Sequence, residues 1–278
     1  MAGQLIRLSG LIVAVLAGCF YMAVAGAPHL YLIINGAALA CAMALAVFLK
    51  RPDRSFGAAS FTGTASALFV VTLFSGVEID GVHRWIAVGP VRLHVGLLLL
   101  PATVSLLPAL RKEWALLTVV AFALIVALQP DRASAFALFA GVLALAIAKR
   151  ERWSMGMLAI AATAFLWSLW QPDPLQPVVF VEHMIRDAWK FHPLSAALLA
   201  GSLVLALVAP LVGTDVRSQM PLIVSLATVS GFVIISFFGP YPTPLIGYGA
   251  SAIIGYGLAL GLSAVRKQGS DLHGLETS

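Results

Sequence analysis

Apolar runs of about 18 to 22 residues recur along the whole chain, separated by short polar breaks, and they decide its solvent. Inside hydrocarbon no water is available for the backbone, so such segments cross as helices that satisfy themselves. Ten spans are expected, near 5–25, 29–49, 57–76, 93–109, 112–129, 132–148, 153–170, 193–213, 219–238 and 244–265. The fourth to seventh are short and joined by tight turns, so they are expected to tilt or to be partly re-entrant. Only 10% of residues are charged and the mean hydropathy is +0.97, whereas a soluble domain carries about a quarter charged residues. The fold class is therefore an all-α polytopic membrane protein. The first run is read as helix one rather than a removed signal, because no small-residue cleavage site precedes a polar domain.

Cations orient the bundle. One set of alternate loops holds Arg7, Lys50, Arg51, Arg54, Arg111, Lys112, Lys149, Arg150, Arg152, Arg217, Arg266 and Lys267, and the other holds Arg84, Arg92, Arg132, Arg186 and Lys190. The first set marks the cytoplasmic side, which puts both termini there and requires an even number of crossings. Residues 1–268 then form one transmembrane helical domain, and 269–278 a short polar cytoplasmic tail, expected to be disordered. The net charge of +5 thus reports orientation among membrane lipids and not a nucleic-acid partner. Cys19 and Cys41 sit inside spans, so neither a disulfide nor a metal site is indicated. Walker, dinucleotide and CxxC motifs are absent.

Function should reside in the polar intervals of the outer face: 77–92, 129–132, 171–192 and 239–243. The densest is Gly81-Val82-His83-Arg84-Trp85-Ile86-Ala87-Val88-Gly89-Pro90-Val91-Arg92-Leu93-His94. Guanidinium groups match phosphate oxygens as forks, so Arg84 and Arg92 are candidate binders of a phosphorylated head group. The bland alternative is an interfacial arginine on lipid phosphate or loop backbone. Trp85 suits an interface anchor. In the longest interval, Phe180, Met184 and Ala188 fall at i, i+4 and i+8, with Glu182, Arg186 and Lys190 on another face. That pattern predicts a short amphipathic helix in the interface, on which Glu182 would pair with Arg186 at i+4. Asp131, after Pro130 and at a helix end, should cap the next helix.

Four patches in this order carry a resemblance: the Arg84-Trp85-Ile86-Ala87-Val88-Gly89 loop after the third span, Gln129-Pro130-Asp131 after the fifth, an acidic outer loop between the seventh and eighth, and Pro244-Leu245-Ile246-Gly247-Tyr248-Gly249-Ala250-Ser251 at the tenth. The chain resembles the SEDS family (shape, elongation, division and sporulation) of bacterial cell-wall polymerases, which have ten helices. The resemblance covers nearly the whole chain and implies a peptidoglycan glycosyltransferase of the bacterial inner membrane, acting on a lipid-linked disaccharide-peptide. It implies Glu182 as general base, with Asp187 and Asp173 as alternatives. Arg84, Trp85, Arg92, Tyr248 and Ser251 would bind substrate, and Gln129, Pro130, Asp131, Gly247 and Gly249 would be structural. The usual family partner is a class B penicillin-binding protein. No cofactor is fixed, although a divalent cation could assist a pyrophosphate donor. Two departures stand out: the family has Glu and Lys where this chain has Leu97 and Leu100. They favour an alternative, a non-catalytic relative that binds or transports lipid-linked precursors or scaffolds a cell-wall complex.

Overall fold

The computed structural model describes residues 2–50, 52, 55–89, 91–214 and 219–264. Arg51, Arg54, Pro90, Arg217, Arg266, Lys267 and the 269–278 tail lie outside the described residues. Among the described residues ten apolar helices form the bundle: α1 (Ala2–Val24), α2 (His29–Phe48), α3 (Ser55–Ser75), α4 (Val95–Leu106), α5 (Lys112–Leu128), α6 (Arg132–Lys149), α7 (Arg152–Trp170), α9 (Pro193–Val208), α10 (Met220–Ile235) and α11 (Ala250–Leu262). Six of them (α1, α2, α3, α6, α7 and α9) are long and apolar enough to cross a bilayer unaided, while α4, α10 and α11 are shorter. The eleventh, α8 (Met184–Phe191), is the short amphipathic helix, and it buries Met184 and Ala188 as the spacing predicts.

Hydrogen bonds and ion pairs sort the loops onto two faces. Lys112 reaches Glu151 at 3.4 Å, tying the α4–α5 loop to the α6–α7 loop, and Arg7 near the start of α1 donates to the Leu260 carbonyl near the end of α11 at 3.2 Å. On the opposite face Arg132 donates to the Ser168 and Gln171 carbonyls at 3.3 and 3.1 Å, and Arg84 donates to Gln129 and Pro130. For these cations the pairing of the loops follows the alternation expected from cation bias.

The two larger of three packed cores meet at α10. One gathers α3 to α7 around Phe69, Phe122, Leu138 and Leu145, and the other gathers α1, α2, α8 and α9 around Leu11, Met22, Leu199 and Tyr256. Helix α11 is wedged between α2 and α4. Its fit depends on glycine, since a Cβ at Gly255 would sit 2.2 Å from the Leu97 carbonyl oxygen, and one at Gly257 2.3 Å from that of Ala42. Outward-facing Phe20, Phe48, Phe56, Phe74 and Trp170 are exposed, as lipid contact requires.

The sequence reading is corrected in three places. Residues 77–94 are an antiparallel sheet of β1 (Val77–Ile79), β2 (Val82–Val88) and β3 (Val91–His94), in that order. The fourth helix consequently starts at Val95, not residue 93. Asp80 and Gly81 both have positive φ, the geometry of the type I′ hairpin that Asp-Gly favours, and Ile79 faces Val82 across it. The last helix starts at Ala250 instead of 244, leaving 244–249 as a loop. Glu182 is not on α8: His183, at φ 58°, breaks the run, and Glu182 bridges Pro242 instead of pairing with Arg186.

Candidate functional site

A cleft of about 390 Å³ opens between β3, the 178–182 turn, and the loop that leads into α11. Trp85, Arg92, His94, Glu182, Tyr248 and Ser251 line it. Five of these six are sequence candidates; His94 is the addition. Its floor includes Leu97, on the first turn of α4.

Glu182 is fixed from both sides. Its carboxylate Oε2 accepts the Val178 amide at 2.6 Å. The turn that carries it is sewn to the α11 loop by Thr243 N–H to the Val181 carbonyl at 2.9 Å and Tyr248 N–H to Phe180 at 2.6 Å. The residue is 8% exposed. Burial raises its carboxyl to about 7, against the lowering effect of the Val178 amide and its own. A cleft carboxylate poised near neutrality suits general-base work.

The other two acids differ. Asp187 lies on α8 against Lys190 (3.4 Å) and Arg186 (3.9 Å), and it does not line the cleft. Asp173 lies beneath the loop, where its Oδ1 meets Arg84 Nη2 at 3.1 Å. Arg84 is itself 3% exposed. Its Nε donates to the Gln129 carbonyl at 3.3 Å and its Nη2 to Pro130 at 2.6 Å. The guanidinium thus locks β2 to the α5–α6 and α7–α8 connections and does not line the cleft. Arg92 does line it and is exposed.

The Gln129-Pro130-Asp131 patch supports this layer. Gln129 Nε2 donates to the Thr72 hydroxyl at 2.7 Å, and Asp131 caps α6 by accepting the Ser134 amide at 3.0 Å. His94 caps α4 in turn, its Nδ1 accepting the Leu97 amide at 3.3 Å. That acceptor role places the ring proton on Nε2, which faces Asp131 Oδ2 at 3.6 Å. Burial holds His94 below its usual value. Burial alone would raise Asp131, but His94, Arg84 and the Ser134 hydrogen bonds outweigh it and keep the acid low. Trp85 stands edge-on to the His94 ring at 5.4 Å.

Asn35, from the middle of α2, was not legible as a site residue. It is fully buried; its Nδ2 donates to the Gly247 carbonyl at 3.0 Å and its Oδ1 accepts the Gly249 amide at 3.1 Å. It thereby holds the Gly247–Gly249 turn, where φ of 153° at Gly249 excludes a side chain and a Cβ at Gly247 would lie 2.8 Å from the Val181 carbonyl. Tyr248 between them stacks on Tyr31 of α2 at 3.7 Å, and Ser251 accepts the His94 amide at 2.7 Å. A lone Asn in an apolar run gives no periodic signal; its polarity inside a span was the only hint.

No group of three His, Cys, Asp or Glu side chains converges among the described residues. Glu182 is the one carboxylate among the described residues that line the cleft, which is a poor set for a resident hard cation that wants several oxygen ligands. The residues do not fit a built divalent site.

Among the described residues, six helices long and apolar enough to cross a bilayer, with shorter apolar helices packed among them and a cleft at one end, define a multi-pass α-helical membrane protein. Its fold is that of the rod-shape-determining protein RodA of Thermus thermophilus, a SEDS protein: the crystal structure superposes with a TM-score of 0.69 over 92% of this chain and 94% of that one, at 19% identity. An aspartate-to-alanine variant of that protein matches equally well, at 20% identity. A third match, with a TM-score of 0.59 over 91% of this chain and 95% of that one at 20% identity, comes from a peptidoglycan synthase complex that coordinates polymerization and crosslinking. No protein-family model and no curated protein matches the sequence. The likeness drawn from four short motifs is a likeness of fold.

Proposed function

We propose that the chain is a SEDS-type peptidoglycan glycosyltransferase of the bacterial inner membrane, polymerising lipid-linked disaccharide-peptide on the outer face. The observation that carries this is Glu182, a cleft carboxylate raised to about 7 by burial and facing a space shared with Arg92. Glu182 takes the proton of an acceptor sugar hydroxyl. The freed oxygen forms the new bond to the donor's anomeric carbon, and the bond from that carbon to the pyrophosphate oxygen breaks, its electron pair leaving with the polyprenyl pyrophosphate. Arg92 offsets the charge that builds on that leaving group. Arg84 contributes by fixing the sheet from which Arg92 projects. Tyr248 and Ser251 complete the wall. A single-span class B penicillin-binding protein is the proposed partner, supported by the synthase complex among the fold's neighbours.

A second reading has its own observation. Leu97 lies on the cleft floor and Leu100 is fully buried behind it, where the family carries an acid and an amine. This favours a non-catalytic relative that binds or transports lipid-linked precursors or scaffolds a cell-wall complex. Glycan-chain formation from labelled lipid-linked disaccharide-peptide by the purified protein, with and without a transpeptidase partner, separates the two. Polymer from wild type and none from Glu182→Gln establishes the polymerase. Binding of the lipid without polymer establishes the non-catalytic relative.

A further inference from the structure

The outer sheet ends in an open edge, and that edge is a wall of the cleft. β3 is the terminal strand, and its Val91, Arg92 and His94 all line the space. In an antiparallel pair, successive residues direct both backbone polar groups alternately toward and away from the partner strand. Three facts fix which residues point away from β2. The His94 amide donates to Ser251, outside the sheet. Its opposite residue Trp85 pairs with Val77 of β1 on the other side of β2. Val88 and Val91 face each other across a two-residue connection, which makes them a hydrogen-bonded pair and Ala87–Arg92 a non-bonded one. The Arg92 N–H and C=O therefore point off the sheet edge, and no partner for either is present among the described residues. The Arg92 side chain, the one cation among the described lining residues, lies beside them.

From this edge we infer that the cleft binds an extended peptide along β3, pairing with the Arg92 main chain as an added strand while the guanidinium, whose five N–H donors can serve two anions, meets a peptide carboxylate beside the leaving pyrophosphate. Strand addition of this kind draws affinity from main-chain bonds, and an exposed edge otherwise invites unwanted pairing. The inference rests on the proposed lipid-linked disaccharide-peptide substrate and assigns its peptide branch to β3.

The test compares two lipids on the purified protein in nanodiscs: the lipid-linked disaccharide with its peptide, and the same lipid without it. The peptide-bearing lipid should bind about tenfold tighter, the worth of one or two hydrogen bonds with a charged pair. Arg92→Ala, which keeps the N–H, should narrow that ratio, and Arg92→Pro, which removes it at an edge position that admits proline, should bring it close to one. Hydrogen exchange on wild type supplies a readout free of any variant: the 91–94 segment should slow with the peptide-bearing lipid and not with the other. Equal affinity for the two lipids, or no slowing at 91–94, overturns the peptide assignment and leaves the lipid-linked reading standing. Absence of binding by both lipids overturns the substrate reading and this inference with it.

Discussion

Arg84 and Asp173, each a candidate for substrate chemistry in the sequence, spend their charges on one another: Nη2 of the arginine lies 3.1 Å from Oδ1 of the aspartate, with both side chains under one-tenth exposed. Breaking a buried pair from one side strands the other charge, at about 3–5 kcal/mol. Arg84→Ala should therefore lower thermal stability in detergent sharply, because it also frees the Gln129 and Pro130 carbonyls. Asp173→Asn should cost less, since Arg84 retains both carbonyls. A double-mutant cycle should show a coupling of about 1 kcal/mol or more. Additive effects would mean that the two do not depend on each other.

Glu182 should set the pH dependence of any polymerisation. The base is active when ionised, so the rate should rise with pH and reach half its plateau near 7, the value to which burial lifts the carboxyl. Glu182→Gln should lower turnover by about 10²–10⁴-fold and remove that limb. The same shift acts on stability in the opposite direction. Because the folded-state value lies above the ordinary 4.5, the fold favours the protonated acid, and this contribution is present below about 4.5 and lost as pH rises through about 7. Wild type should lose stability across that window relative to Glu182→Gln. A rate profile flat from 5 to 8 would remove Glu182 from the base role.

The helices were legible because the bilayer leaves a spanning backbone one solution, and the cation bias fixed their alternation. The sheet was equally encoded, in Asp80-Gly81 and in the alternation of β2, where Val82 and Arg84 turn inward. The surrounding polarity made that stretch read as a loop. Glu182 was legible as an acid in the right interval but was misplaced on a helix. The 180–184–188 spacing runs smoothly through His183, and only the backbone shows that it breaks there. Buried pairings such as Arg84–Asp173 or Asn35–Gly249 join residues far apart in the chain, and one sequence holds no trace of which polar groups meet.

Asn35 tests how far the cleft depends on α2. Replacing it with Ala leaves the Gly247 carbonyl and Gly249 amide without their partner, and an unpaired buried polar group costs about 1–3 kcal/mol. The Gly247–Gly249 turn carries Tyr248 and leads into Ser251, so Asn35→Ala should weaken binding of the lipid substrate several-fold as well as lowering the unfolding temperature. Asn35→Asp keeps the acceptor for Gly249 and supplies a donor to the Gly247 carbonyl only when protonated. It should recover part of the binding at pH values where the introduced acid is neutral. Full binding in Asn35→Ala would show that the turn holds its shape through Gly247 and the Val181 contact alone.

Gly255 sets the spacing of α4 and α11, and with it the depth of the cleft floor. An alanine there would place Cβ 2.2 Å from the Leu97 carbonyl and 2.7 Å from that of Leu98, both backbone atoms that cannot rotate aside. The helices would have to separate, at about 1–3 kcal/mol, lengthening the 2.7 Å bond from His94 to Ser251 that closes the wall above Leu97. Gly36, in the middle of α2, is the control, since nothing lies within 4 Å of its Cβ position. Gly36→Ala should leave stability unchanged or raise it by about 0.5–1 kcal/mol through helix propensity. Thermal unfolding in one detergent, with lipid-substrate binding on the same preparations, separates the cases. Gly255→Ala should lose both stability and binding. Equal behaviour of the two alanines would mean that α4 and α11 do not pack as closely as their backbones indicate.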